Sequence, residues 1–112
     1  MESILTSIKN DIGVMPEYTI YDGPIITHIN TALFALTQIG VGPEDGFVIT
    51  DDQSKWSDFL GDSKQFEPAK SYVYAKTKLA FDPPSSAVHI EALNKLAEES
   101  LGRLSILVET EV

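Results

Sequence analysis

Seventeen acidic against eight basic side chains in 112 residues give a formal charge of −9, which excludes a surface built to wrap nucleic acid, since phosphate binding needs clustered Lys and Arg. The absence of cysteine excludes disulfide scaffolds, thiol catalysis and cysteine-ligated zinc, and agrees with a reducing intracellular origin. The length fits one domain, residues 1–112, with a core large enough to fold without staples; no apolar run approaches the roughly 20 residues of a membrane span, and Met-Glu-Ser-Ile lacks the basic start of a signal peptide.

Ser3 is placed to cap a first helix in which Ile4, Leu5, Ile8 and Ile12 form a narrow apolar stripe, and Gly13 to stop it. Residues 14–21 read as a connecting loop whose rings, Tyr18 and Tyr21, cover the edge of the core. Asp22 is expected to cap the next helix, with Pro24 in its first turn and Gly40 at its end. Ile25, Ile29, Ala32, Leu33, Leu36 and Ile39 share one face of it. Phe34 lies on the polar side with Thr27, Thr31 and Gln38, so that side too is expected to be covered, by a loop of the chain or by another subunit, the loop being slightly favoured.

The segment 40–46 is rich in turn residues and is no phosphate cradle, because it lacks the Gly-Lys-Ser/Thr ending and follows no strand. Residues 47–50 are the one β-like run. They are expected to form a short extended arm or β-hairpin around 47–60, to add a strand to another subunit, or to lie extended over the helices. Trp56, Phe59 and Leu60 make a short amphipathic turn, ended by Gly61, that plugs the core. The acidic segment 42–67 is the one long irregular stretch, a pattern that often marks a functional arm.

The last two helices organise the chain. The spacing predicts one over 66–81 and another over 85–109, separated by Asp82-Pro83-Pro84, which disfavours helical geometry; Ser85 or Ser86 is placed to restart the helix. In the last helix Ile90, Leu93, Leu96, Ala97, Leu101, Leu104, Leu107 and Val108 fall within an arc of roughly 140°, which predicts a continuous buried stripe. On its outer face Glu91 and Lys95, and Glu99 and Arg103, are i,i+4 pairs of ~0.3–0.5 kcal/mol each. After Val108 the tail is expected to fray, or, for residues 110–112, to order on a neighbouring protein. The helix over 66–81 is apolar on both sides: Ala69, Tyr72, Val73, Leu79 and Ala80 share one face, with Lys76 projecting from its middle, while Tyr74 and Phe81 lie opposite with Lys70. Lys76 either packs its stem and reaches water with its amine or pairs with a carboxylate of a neighbouring subunit. The fold class expected is mainly α, a small bundle of about four main helices.

Catalytic chemistry is not visible. Neighbouring carboxylates on a helix, such as Glu98 and Glu99, point about 100° apart and cannot converge; no serine sits in a Gly-x-Ser-x-Gly turn. His28 and His89 lack companions at metal-ligand spacing, and Asp51, Asp52 and Asp58 lack that of a calcium loop. No catalytic residue, cofactor or metal is expected. Charge is split, however: residues 44–67 carry seven acids and two lysines, whereas 69–80 carry Lys70, Lys76 and Lys78 and no acid. That split is either ordinary solvated charge or a means for copies to attract one another.

The order of these elements, with Met-Glu-Ser-Ile-Leu-Thr-Ser-Ile-Lys, Ile-Ile-Thr-His-Ile-Asn-Thr-Ala, Gly-Val-Gly-Pro, Trp-Ser-Asp-Phe-Leu-Gly and above all Tyr-Val-Tyr-Ala-Lys-Thr-Lys-Leu-Ala-Phe-Asp-Pro-Pro, resembles the small head-tail connector proteins of tailed bacteriophages and prophages of Gram-positive bacteria. The resemblance covers nearly the whole chain. It implies a non-enzymatic head-completion adaptor in the virion, assembled in the host cytoplasm. In it, about a dozen copies form a ring below the portal protein, extend the DNA channel and dock a tail-side stopper or tail completion protein. The family's extended arm would correspond to residues 47–67. Within that frame Tyr74, Lys76 and Phe81, with Phe34, are candidates for the inter-subunit face. Glu44, Asp45, Asp51 and Asp52 are candidates for contacts to basic neighbours or for a channel rim past which DNA slides without binding. The alternative is a small regulatory or adaptor protein of a phage or bacterium that binds one protein partner.

Overall fold

A computed structural model of the chain describes residues 2–61 and 66–110. These form a mainly α architecture of α1 (Ile4–Ile12), α2 (Asp22–Gln38), α3 (Trp56–Leu60), α4 (Phe66–Phe81) and α5 (Ala87–Thr110). Local signals set most of the boundaries. The Ser3 hydroxyl accepts the Thr6 N–H at 3.2 Å, and after Gly13, in the left-handed conformation at φ 86°, the Val14 N–H donates back to the Lys9 carbonyl at 2.8 Å. The Asp58 carboxylate accepts the Lys55 N–H at 2.8 Å, fixing the start of α3.

The expected cap of α2 is different. Asp22 is the first residue of that helix, preceded by Tyr21, and no side chain caps the end. Its carboxylate turns instead to the buried Lys9, 2.7 Å away, because a desolvated ammonium is a stronger partner than a first-turn N–H that water can reach.

Helix α4 is the centre. It packs on α5 along one side and on α2 along the other, with α1 also against it. Tyr21, at the start of α2, lies 5.5 Å from Phe81, at the end of α4, so the two helices are antiparallel. Residues 82–86 then turn the chain, and α5 runs back until Val108 lies beside Gly40, just beyond the end of α2. The core is the shared interior: Ile4, Leu5 and Ile8 of α1, Ile25, Ile29, Leu33 and Leu36 of α2, Trp56 and Phe59 of α3, Ala69 and Val73 of α4, Leu104 of α5. Trp56 is the plug. Its indole N–H donates to the buried Ser7 hydroxyl at 2.7 Å and its ring meets Phe66 edge-on, so the largest core side chain leaves no polar atom unpaired.

One open alternative is narrowed and one expectation is corrected. Residues 47–60 form no hairpin among the described residues; the sole bridge there pairs Ser3 with Lys55. Of the arrangements the sequence left open, residues 47–50 take the one that lies over the helices, where burying Ile49 against α2 outweighs pairing a four-residue strand in solvent. The stripe of α5 is also less buried than its periodicity predicts. Of 24 residues only Ala97, Ser100 and Leu104 are fully buried, while Ile90, Leu93, Leu96, Leu101, Leu107 and Val108 remain half-buried. The reason is that α5 packs chiefly on α4, and one supporting helix cannot cover an arc that wide. Fraying after Val108 is not observed at residues 109–110, which continue α5; residues 111–112 lie outside the described residues. No helix among the described residues is long and apolar enough to cross a membrane.

Candidate protein interface

The acidic loop is held on α2 by one side chain. Asn30 donates its Nδ2–H to the Ile49 carbonyl at 2.9 Å and accepts the Ile49 N–H on Oδ1 at 2.8 Å. With Ile49 anchored and Val41 buried, residues 42–48 arch over the end of α2. There Glu44, Asp45, Gly46, Phe47 and Val48 close with Phe34 and Thr37 around an open cavity of about 420 Å³. The wall is largely apolar and the rim carries two acids. Phe34 is 63 % exposed and Val48 66 %, so the loop flanks Phe34 without covering it, contrary to the favoured expectation. Asp51 and Asp52, also exposed, accept hydrogen bonds from the backbone N–H and the side-chain amide of Gln53.

A second surface lies around α4. Tyr72 and Lys76, one turn apart, sit between a cavity lined by His28, Thr31 and Ala35 of α2 and another lined by Asn94, Glu98 and Leu101 of α5. Tyr72 is nearly buried, and this burial pushes its phenol above the usual value of 10.0. Lys76 is exposed and makes no ion pair among the described residues. The other lysines of the helix are engaged: Lys70 with Glu2 at 3.2 Å and Asp11 at 3.8 Å, Lys78 with Asp82 at 2.8 Å. Among the described residues, the basic helix read from the sequence therefore offers a single unpaired cation along 69–80.

The other candidates fall elsewhere. Tyr74 is half-buried in the seam between α4 and α5, beside Lys78, Pro84, His89 and Leu93. Phe81 is half-buried and stacks edge-to-face on Tyr21, which in turn meets Tyr18. The structure thus brings Phe34, Glu44 and Asp45 together, sets Lys76 apart from them, and leaves Tyr74 and Phe81 half-buried at two other places.

Two positioning residues escape sequence reading. Lys9 is 1 % exposed, and its ammonium donates to the Pro16 carbonyl at 2.9 Å, the Tyr18 carbonyl at 2.9 Å and the Asp22 carboxylate at 2.7 Å, tying the α1–α2 loop to both helices. Its place at the edge of the apolar arc of α1 is the one available signal. Asn30 has none, since its partner lies 19 residues away.

Among the described residues no group of three or more His, Asp or Glu converges where a metal ion would bind. The surfaces offer apolar contact and charge, the chemistry of docking. Comparison with curated proteins and with solved structures gives no match. A family model described as phage connector protein matches residues 4–111, nearly the full length, and the chain belongs to that family.

Proposed function

We propose that this protein completes the phage head as a ring-forming adaptor below the portal protein, extends the channel through which DNA leaves, and presents the docking surface for a stopper or tail completion protein. Membership of the connector family, a structural family of virion assembly, is the observation that carries this reading. The shape of the monomer supports it. A 24-residue α5 with three fully buried positions, and the exposed Phe34, Val48, Val88 and Ile106, leave apolar surface at several places around the chain. A ring subunit needs this, because each copy must meet two neighbours through two different patches. The charge of −9 suits a channel component, since DNA passes a negative wall without adhering.

Native mass by light scattering over a wide concentration range, alone and with the portal protein encoded with it, tests the reading. A ring-sized species, or co-migration with the portal, is the expected result. A monomer that ignores the portal would overturn it.

A further inference from the structure

We infer that the groove around Lys76 is the seat for the acidic loop of a second copy, so that residues 44–52 of one subunit dock between α2 and α5 of the next. This rests on the ring reading above and names its contact. Three observations support it. The groove carries one exposed cation that its own chain leaves unpaired among the described residues, although Glu98 lines the same cavity. The loop presents four exposed acids, Glu44, Asp45, Asp51 and Asp52, with no cation bound to them among the described residues.

The third is their placement. Asn30, Phe34 and Thr37, which meet the loop, and His28, Thr31 and Ala35, which line the groove, point roughly 130° apart around α2 at 100° per residue. The chain's own loop is therefore held on the far flank from its own groove, and Asn30 keeps it there. A neighbour's loop has no such constraint. Complementary patches on opposed flanks produce a head-to-tail contact that repeats, whereas a two-fold dimer would need a self-complementary patch. Val48, exposed between the acids, supplies an apolar side chain to lie on Ala35 and Ala80 of the groove. Copies that carry −9 repel one another at long range, so a local pairing of opposite charge also selects the register in which they meet.

Charge reversal tests the contact directly, because the residues concerned are exposed. Lys76→Glu in one variant, and Asp51→Lys with Asp52→Lys in a second, should each lose the multi-subunit species seen by light scattering while keeping the helical circular dichroism of the parent. A third variant carrying all three changes should regain it, since each loop again faces an opposite charge. Multi-subunit assembly that survives both reversals, or that the triple variant fails to regain, would overturn this contact and leave the connector reading standing. A parent chain that stays monomeric with and without portal would overturn both.

Discussion

Asn30 holds both backbone polar groups of Ile49, the N–H at 2.8 Å and the carbonyl at 2.9 Å, as a strand partner would. One side chain thus does for Ile49 what a hairpin partner would have done. Ile49 is 1 % exposed, so removing the amide strands two buried groups that water reaches only after the loop lifts. Asn30→Ala is expected to destabilise the protein by about 2 kcal/mol and to raise the rate of proteolytic cleavage within 42–52. Asn30→Asp should fall between, since it keeps an acceptor for the N–H but sets an oxygen against the carbonyl. Cleavage rates equal to the parent's would show that Ile49 burial alone fixes the loop.

Lys9 closes a second loop by charge. Its ammonium, whose side chain is 2 % exposed, holds two carbonyls and the Asp22 carboxylate, which at 26 % exposure is still reached by water. Taking away the aspartate leaves the ammonium buried without its counter-ion, and taking away the lysine unties the loop from both helices and removes a buried aliphatic stem. Lys9→Ala is expected to lower stability by about 2–4 kcal/mol in denaturant titrations. Lys9→Ala combined with Asp22→Ala should cost less than the sum of the two, because the carboxylate left by the first change is removed by the second. Additive losses would mean that the two side chains act independently.

What the sequence made legible follows from where each signal resides. The ends of α1, α3 and α4 were readable because Ser3, Gly13, Gly61 and the Asp82-Pro83-Pro84 hinge act within a turn of their own positions. Periodicity placed Lys76 on the Tyr72 side of α4 and Tyr74 on the other, which the structure reproduces. Periodicity did not reveal how much protein lies against an apolar face, and α5 read as buried where it is half-covered. Nor did it reveal partners far apart in sequence, so Asp22 read as a cap rather than as the counter-ion of Lys9, and Asn30 drew no reading at all. The grouping of Phe34 with Glu44 and Asp45, and the isolation of Lys76, depend on how the loop crosses α2.

The loop also requires its first glycine. Gly42 has φ +82°, and a methyl group there would overlap the ring of Phe59. Gly42→Ala therefore combines left-handed strain with overpacking against a buried side chain, an expected cost of about 2–3 kcal/mol. Gly46 makes the internal control: its φ is +96° but nothing lies within 4 Å of the added carbon, so Gly46→Ala should cost about 1 kcal/mol. Thermal midpoints of the two variants compare them. Equal losses would show that the Phe59 ring yields without cost.

Tyr72 gives the fold a dependence on alkaline pH. Burial of its phenol favours the neutral form and raises its pKa above 10.0, the value it returns to when the chain unfolds. Below that pH both states hold the proton, and Tyr72 contributes no slope. Above it the unfolded chain releases the proton while the folded chain retains it, so the folded state binds more protons and stability falls as pH rises. Replacing the residue by Phe removes this titration and leaves those of the lysines and the other tyrosines in place. Denaturant titrations from about pH 9 to about pH 11 should therefore show the parent losing stability more steeply than Tyr72→Phe, with the divergence beginning near pH 10. Parallel curves would mean that the phenol is as well solvated on the floor of the Lys76 groove as in the unfolded chain.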